Sequence, residues 1–249
     1  MFFDISNIPF SHRDKLNGIS LPRTLTPELA EFLGIMVGDG HVGAHKRKTQ
    51  NGFYYDLNIC GHLKDKYYHM VYVNELAERL FGIKLNVSFV PKRNAIVLRK
   101  QSKAICSFLK DIFHLPKNKQ YTGVPDCILQ GCGLVKKSFL RGLADSDFYF
   151  GVKNKPCPYP IVRGDSKSEA LMRQCSQMLQ ELGIQNYVRK ENKFYAKRNK
   201  TYVGYRIYIN GRKRVKAFME QVGFQNPNKL DKYRDFLRKH IVYKRRASR

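Results

Sequence analysis

Acidic residues are scarce in this sequence of 249 residues. Only 20 Asp and Glu stand against 46 Lys and Arg, which gives a formal net charge of +26 at pH 7 and a pI near 9.9. An excess of this size indicates attraction to a polyanion, most simply a nucleic acid. The sequence shows neither the basic amphipathic helix nor the lipidation signal of a membrane-surface protein. We therefore expect a nucleic-acid partner and no membrane partner.

Long apolar runs and paired cysteines are also missing. No segment approaches the roughly 20 apolar residues of a membrane-spanning helix, and the N-terminus MFFDISNIPF lacks the features of a signal peptide. The six cysteines form no CxxC pair, and no histidine cluster at zinc spacing lies near Cys127 and Cys132. We expect an intracellular protein with reduced thiols, in a prokaryotic cytoplasm or an organelle, that is not secreted.

One stretch of the chain occurs twice, as FLGIMVGDG at residues 32–40 and LRGLADSDF at residues 140–148. The glycines Gly34 and Gly142 are 108 positions apart. In each copy a second small residue follows four positions later, and residues four apart share one face of a helix. Helices with such small residues can cross backbone to backbone. The predicted helix interface consists of Gly34, Gly38, Gly142 and Ser146.

Each copy carries an acid directly after its last small residue. Asp39 and Asp147 are again 108 positions apart, so packing the two helices would bring these carboxylates side by side. Two carboxylates that share a site repel each other, and a helix C-terminus is the unfavourable end of the macrodipole for an anion. Divalent cations with a preference for oxygen ligands, such as Mg²⁺, remove both penalties. The repeat therefore predicts a metal site.

Both stretches resemble the motif of the LAGLIDADG homing endonucleases, in the form that has two motifs on one chain. Asp39 and Asp147 fall on the eighth letter, which in that family is the catalytic metal-binding acid. Val37 stands at the sixth letter, where an acid is common, and is expected to matter little because that letter is not the metal ligand. Phe148 replaces the usual glycine at the ninth letter, which predicts altered geometry beside Asp147 and weakened cleavage.

The rest of the chain repeats too. Helical and strand patterns follow the order helix, two strands, helix, two strands, helix in both halves. Phe108, Ile112, Asn118 and Lys119 recur as Phe218, Val222, Asn228 and Lys229, each 110 positions later. Such a repeat decides the architecture. We predict an α+β fold of two pseudo-twofold-related αββαββα subdomains, each with a four-stranded antiparallel DNA-binding sheet, joined by the packed motif helices.

The predicted boundaries follow from this repeat. A leader of residues 1–26 would pack loosely on the body, since it has few apolar repeats. Residues 27–126 and 127–235 would form the two subdomains. Residues 236–249 would be a basic tail, because the chain finishes in YKRRASR.

The resemblance implies hydrolysis of one phosphodiester per strand, and so a site-specific double-strand break in a long asymmetric DNA target by a monomeric, intron-encoded enzyme. It implies two or three Mg²⁺ ions, for which Mn²⁺ or Ca²⁺ could substitute in binding. The ligands would be Asp39, Asp147 and the backbone of Gly38 and Ser146. In the family a basic residue of each subdomain supports the reaction, and Lys119 and Lys229 occupy matching places.

The sheets would lie in the DNA major groove, where each base pair presents its own donor and acceptor pattern. Outward strand residues and basic hairpin tips are then the candidate DNA contacts. In the first half these are Lys46, Lys48, Tyr54, Asp56, Asn58, Lys92 and Arg99. In the second half they are Lys153, Lys155, Arg163, Arg189, Lys193, Lys197, Arg198 and Arg206.

Other interpretations stay open at this point. An intron-encoded RNA maturase would use the same positive charge to bind its own intron RNA. A non-catalytic DNA-binding protein of the same fold should have lost one acid, and both are present. An intein nuclease domain is less favoured, since the chain starts at Met1 without flanking splicing blocks.

Overall fold

The computed structural model describes residues 1–46, 52–115, 122–154, 157–195 and 199–247. The first half begins with a short helix in the leader and continues through the first motif into a sheet and further helical segments. Its elements are α1 (His12–Leu16), α2 (Pro27–Gly38), β1 (Gly40–Lys46), β2 (Phe53–His62), a π-helical segment (Tyr68–Val73), α3 (Asn74–Phe81), β3 (Asn86–Val90), β4 (Ala95–Gln101) and α4 (Lys103–Ser107).

The second half repeats this order after a short connecting helix. Its elements are α5 (Asp126–Leu129), α6 (Gly133–Asp147), β5 (Phe148–Lys153), β6 (Tyr159–Ser166), α7 (Glu169–Glu181), β7 (Tyr187–Tyr195), β8 (Lys200–Asn210), α8 (Arg212–Gln221) and α9 (Pro227–Ala247).

The strands of the described chain form two four-stranded antiparallel sheets with the same topology, β1-β2-β4-β3 and β5-β6-β8-β7. Equivalent strand pairs keep equivalent registers, since Gly40 pairs with Ile59 in the first sheet and Phe148 with Gly164 in the second. This architecture confirms the predicted α+β fold of two similar halves.

Helix α2 begins and ends where its sequence predicts. Thr26 is the N-cap and accepts a hydrogen bond from the backbone N–H of Leu29, and Pro27 occupies the first helical position. Both features satisfy or remove N–H groups that a helix start leaves unpaired. Buried residues fill the remainder of the helix, because it runs through the centre of the molecule rather than along its surface.

Helices α2 and α6 cross with their backbones in contact. A Cβ atom on Gly34 would lie 2.2 Å from the carbonyl oxygen of Phe139, and one on Gly142 would lie 2.1 Å from that of Glu31. A Cβ on Gly38 would lie 2.4 Å from the Cβ of Ser146. No side chain fits at the two central positions, so the absence of a Cβ is what permits the crossing.

The leader does not pack loosely, contrary to prediction. Phe3 makes edge-on contacts with the rings of Phe108 and Phe113. Asp14 is fully buried, forms a capping box with Ser11, and accepts a hydrogen bond from the backbone N–H of Ala104 at the start of α4. Local sequence patterning missed this docking because its contacts are to residues 90 or more positions away.

At the other end, α9 runs unbroken from Pro227 to Ala247. The predicted boundary between residues 235 and 236 therefore falls inside one helix. Phe236 is buried and packs against the ring of Phe150 on β5. The core of the second half therefore extends beyond the predicted boundary and includes Phe236.

A buried polar cluster crosses the joint between α2 and α6. The carboxylate of Glu31 accepts hydrogen bonds from Arg141 Nη2 at 2.5 Å and from the Tyr72 hydroxyl at 2.6 Å. The Glu31 side chain is 3% exposed and that of Arg141 is 27% exposed. Burial raises the pKa of Tyr72, and so does its hydrogen bond to the Glu31 carboxylate, whereas the charge of Arg141 acts to lower it. The Glu31–Arg141 ion pair is asymmetric, because the first half supplies the acid and the second half supplies the base.

Replacing Gly34 or Gly142 with alanine should destabilise the protein by about 1–3 kcal/mol or more, because the added methyl group meets backbone atoms that cannot rotate away. Urea denaturation of purified variants measures this loss. Gly133→Ala is the matched control: it lies at the first position of α6 with open space around it. This control should be neutral or slightly stabilising. Equal losses in all three variants would contradict the close-crossing explanation.

Arg141→Met should cost about 3 kcal/mol, because it leaves the Glu31 carboxylate buried without its cation. The double variant Glu31→Leu/Arg141→Met should recover most of that loss, since an apolar pair needs no charge compensation. A double-mutant cycle of unfolding free energies tests this. Strictly additive losses would show that the two side chains do not interact.

Candidate functional site

The two motif acids occupy equivalent helix ends. Asp39 is the C-cap of α2, and its backbone N–H donates to the carbonyls of Ile35 and Met36. Asp147 is the last residue of α6. Both side chains are only partly buried, so their carboxylates remain accessible from solvent at the end of the joint.

The crossing of α2 and α6 brings these ends together. The Asp147 Oδ2 atom lies 3.3 Å from the position that a Cβ on Gly38 would occupy, and Gly38 directly precedes Asp39. Gly38 and Ser146 themselves are in contact across the joint. The sequence-predicted pair therefore converges at one edge of the joint between α2 and α6.

This donor set fits a hard divalent cation. Carboxylate oxygens and the carbonyl ends of two helices favour a cation, and a cation offsets the repulsion between the acids. Across the described ranges no group of three or more His, Cys, Asp and Glu side chains is arranged to hold a metal ion. Mg²⁺ is commonly bound by one or two carboxylates with water and substrate phosphate, which matches two acids at an open edge.

Lys229, in the first turn of α9, reaches this edge. Its Nζ donates to the carbonyl oxygens of Ala144 at 2.8 Å and Asp145 at 2.6 Å, at the C-terminal end of α6. Burial lowers the pKa of Lys229, while the nearby carboxylates of Asp145, Asp39, Asp65 and Asp147 act to raise it. This lysine therefore both caps the second motif helix and lies within the field of both motif acids.

The structure adds one residue that the sequence interpretation passed over. Asp145 occupies the sixth letter of the second motif and is only 4% exposed. Burial raises its pKa to about 7, although the backbone N–H groups of Asn226 and Gln225 and the charge of Lys229 lower it. The sequence did contain a signal for this residue: the sixth letter is an acid in the second copy, whereas it is Val37 in the first.

Phe148 at the ninth letter does not require an unusual backbone. Its φ of −97° and ψ of 147° are extended, a conformation open to any residue, so a helix-exit glycine is unnecessary there. Its side chain is buried, and a Cβ on Gly164, the cross-strand partner, would collide with the Phe148 ring. In the first half Gly40 pairs with Ile59. Large and small residues are thus exchanged across the strand pair, which accommodates the phenylalanine.

On the outward face of the first sheet, Asn58 and Arg99 form a cross-strand pair. Arg99 Nε donates to Asn58 Oδ1 at 2.8 Å, and Asn58 Nδ2 donates to Asp56 Oδ2 at 2.5 Å. Asp56 and Asn58 are buried, whereas the Arg99 side chain is 58% exposed. The network therefore presents Arg99 to solvent, with Asp56 and Asn58 as its supports.

The other first-half candidates lie at the ends of the strands. Tyr54 stacks on His45 with ring centroids 5.0 Å apart. Lys46 alternates with His45 along β1 and so lies on the opposite face of the sheet from this stack. Lys92 is exposed in the turn between β3 and β4.

The outward face of the second sheet combines arginines with tyrosines. Lys153 and Arg189 are exposed, and Arg163 is partly exposed. The guanidinium groups of Arg163 and Arg189 lie over the rings of Tyr149 and Tyr187, respectively. Side chains at every second position of a strand, and at directly paired positions of neighbouring strands, point to the same face of a sheet. By this register the three cations lie on one face of the second sheet.

Arg206 differs from its neighbours because it is only 9% exposed. Its guanidinium pairs with Asp165 and, through Nη1, with Glu191 at 2.5 Å. The arginine is thus held between two carboxylates on the same face, and its charge is already balanced within the protein.

The described residues do not include Lys48, Lys119, Lys155, Lys197, Arg198 or the side chain of Lys193.

The described helices include none with the length and apolar character needed to cross a membrane.

Comparison with known proteins places these features in context. Residues 135–223 match the model of the LAGLIDADG-like domain. The chain is 26% identical over 210 residues to the tRNA-splicing ligase RtcB of Methanopyrus kandleri, covering 79% of this chain and 20% of the relative. It is 23% identical over 235 residues to the glutamine–fructose-6-phosphate aminotransferase of Methanocaldococcus jannaschii, covering 92% and 19%. The chain thus spans about a fifth of the length of these curated relatives.

Solved structures extend the likeness to both halves. The structure of I-DmoI in complex with DNA and Mn matches with a TM-score of 0.56 and 19% identity, covering 80% of this chain and 98% of that one. The I-LtrWI LAGLIDADG homing endonuclease bound to target DNA matches with a TM-score of 0.56 and 14% identity, covering 88% and 92%. The chain therefore contains a LAGLIDADG-like domain and has the fold of the two-motif LAGLIDADG homing endonucleases, which confirms the resemblance first read from its two motifs.

Proposed function

We propose that this protein is a site-specific DNA endonuclease that makes a metal-dependent double-strand break. The observation that carries the proposal is the convergence of Asp39 and Asp147 at the open end of the α2–α6 joint. A purely structural protein would have no reason to bring two partly exposed carboxylates to the negative ends of two helices, since both the repulsion and the dipole oppose it.

In this proposal Asp39 and Asp147 hold divalent ions together with the backbone of Gly38 and Ser146. When bound, such ions polarise a scissile phosphate and supply hydroxide near neutral pH. Mg²⁺ is the proposed physiological ion, and the I-DmoI complexes solved with DNA and Mn and with DNA and Ca support divalent metal use in this fold.

The residues around the acids would support the reaction by supplying positive charge and by fixing the positions of the acids. Lys229 lies close enough to interact electrostatically with both motif acids, so it can offset negative charge that builds up on a phosphate there. Lys119 is the proposed equivalent in the first half, by its place in the repeat. The Gly34 and Gly142 crossing keeps the acid pair at a fixed separation, which positions the reacting groups.

The two sheets supply the DNA-binding surface. Arg99 in the first half and Arg163, Arg189 and Lys153 in the second project from outward strand faces. The two faces carry different side chains, so the preferred target should be asymmetric. Because both halves belong to one chain, one copy contains both motif acids, and we propose that the active species is a monomer.

The relatives support a self-contained module. A similar segment makes up about a fifth of a tRNA-splicing ligase and of an aminotransferase. These two chemistries have nothing in common, so we propose that the shared segment has an activity of its own, independent of its surroundings. The RNA maturase and the non-catalytic DNA-binding protein remain alternatives that the following experiment separates.

Incubation of the protein with a randomised duplex DNA library and Mg²⁺ should yield cleavage of both strands at one preferred sequence. Asp39→Asn and Asp147→Asn should each lower the cleavage rate by at least the 10- to 100-fold typical of losing a partner in a metal site, and removal of the metal with EDTA should abolish cleavage. Asp235→Asn, an exposed acid on α9, is the control and should cut normally.

The other outcomes identify the alternatives. Specific binding without cleavage would point to a non-catalytic DNA-binding protein. Salt-resistant preference for folded intron RNA over duplex DNA would point to a maturase. Nicking of one strand alone would show that only one of the two centres is active.

DNA affinity should fall steeply with salt, because Lys and Arg contacts release counterions from the phosphates. Arg163→Ala and Arg189→Ala should each reduce the slope of log K against log salt by about 1 if the residue contacts a phosphate. Lys216→Ala, an exposed lysine paired with Glu220 on α8, is the control with the same change of charge. Fluorescence anisotropy with labelled target at several salt concentrations measures the slopes. Equal effects of all three substitutions would argue against a binding face on the second sheet.

A further inference from the structure

Asp145 is a buried acid whose partners belong to a single distant turn. Its Oδ1 accepts hydrogen bonds from the backbone N–H groups of Asn226 at 2.9 Å and Gln225 at 3.1 Å, and its Oδ2 accepts from Gln225 at 2.9 Å. These residues are 80 and 81 positions away. A buried carboxylate that binds two adjacent N–H groups fixes both the position and the orientation of that turn.

The same turn starts α9 and carries Lys229. The Asn226 side chain accepts from the N–H of Asn228 at 3.0 Å, and the Asn226 carbonyl accepts from the N–H of Lys229 at 3.0 Å. Lys229 Nζ then donates back to the carbonyls of Ala144 and Asp145. Asp145, Gln225, Asn226 and Lys229 thus form a closed ring of contacts with the end of α6, here called the clasp.

The clasp is also tied to the first half. Asn228 Nδ2 donates to the carbonyl of Lys64 at 2.7 Å and to Asp65 Oδ1 at 2.9 Å. The start of α9 is therefore held from two sides, by the second motif helix and by the turn after β2. The Lys229 ammonium has little freedom to move relative to Asp147.

The first motif cannot build the same arrangement through its sixth letter. Val37 stands there; the residue is only 4% exposed and belongs to the apolar core. A valine side chain has no hydrogen-bond acceptor. The two motifs therefore differ in the group that could position a lysine, although both keep the acid at the eighth letter.

We propose that Asp145 is a positioning residue for Lys229 and that the two strand-cleaving centres are consequently unequal, with the strand served by Lys229 cut first. The positioning rests on the contacts of the clasp, whereas the strand order rests on the proposed nuclease function. The expectation that the sixth letter matters little is thereby revised for the second motif.

The test compares the two strands within one protein. A duplex target labelled differently on each strand is cut under single-turnover conditions by the wild type and by Asp145→Val, which copies the first motif. Asp145→Val should slow one strand by about 10- to 100-fold, as loss of a supporting partner does, and leave the other within about 2-fold. Lys229→Met should slow the same strand, and the double variant should be no slower than Lys229→Met, because the two residues act as a unit.

Two further variants separate positioning from folding. Asp145→Asn keeps one acceptor oxygen and should restore most of the lost rate on the slowed strand. Val37→Ala alters the sixth letter of the first motif without removing any hydrogen bond and should leave the strand ratio unchanged. Equal slowing of both strands by Asp145→Val would mean a general loss of structure and would overturn the proposal.

A second measurement does not depend on cleavage. Acetylation of lysines by an amine-reactive ester, followed by mass spectrometry, reports the accessibility of Lys229 Nζ. Lys229 should react slowly in the wild type and at least several-fold faster in folded Asp145→Val, with Lys216 as an unchanged internal reference. If the wild type cuts no DNA, the nuclease function fails, and the labelling still decides the positioning. Unchanged Lys229 reactivity in folded Asp145→Val would overturn it.

Discussion

The backbone contact between α2 and α6 is the constraint on which the rest of the structure depends. Gly34 and Gly142 each face a backbone carbonyl at a distance that leaves no room for a Cβ atom. Since the two helices end in the motif acids, the distance between the carboxylates follows directly from how closely the backbones approach. The sheets are attached to the same helix ends, because β1 and β5 begin immediately after the acids. One close crossing therefore places both the acid pair and the two basic faces.

Charge is distributed in a way that suits a polyanionic partner. The chain carries a large positive excess, yet several of its acids are buried or lie at the joint, including Glu31 and Asp145. Other acids hold arginines on the outward faces, as Asp56 does for Arg99 and Glu191 does for Arg206. Acids that restrain cations reduce the entropy lost when a ligand is bound. The few acids on these faces thus fix the positions of basic side chains.

Asymmetry between the halves is as informative as their similarity. The shared topology comes with local exchanges, such as Phe148 with Gly164 in place of Gly40 with Ile59. The Glu31–Arg141 pair takes one charge from each half, and the sixth motif letter is apolar in one copy and acidic in the other. Each exchange is compatible with the common backbone. A large residue faces a small one in both strand pairs, and at the sixth letter Val37 packs in the apolar core where Asp145 instead accepts backbone hydrogen bonds. Such differences give the two halves distinct local chemistry on equivalent frameworks.

Sequence patterning could predict the repeated order of elements, the N-cap at Thr26 and the convergence of Asp39 with Asp147, because these depend on local periodicity and on matched spacing. It could not predict the docking of Asp14 against α4 or the packing of Phe236 against Phe150, since both depend on contacts with distant residues. The alternation along a strand identified Asp56 and Asn58 as outward, but only the packed sheet showed that they are covered by Arg99. By itself, the sequence determined the two-motif architecture and the identity of the acid pair. The tertiary structure decided which polar groups are buried together, and hence that Asp145 holds the turn carrying Lys229, because hydrogen bonds between residues 80 positions apart leave no periodic trace in the chain.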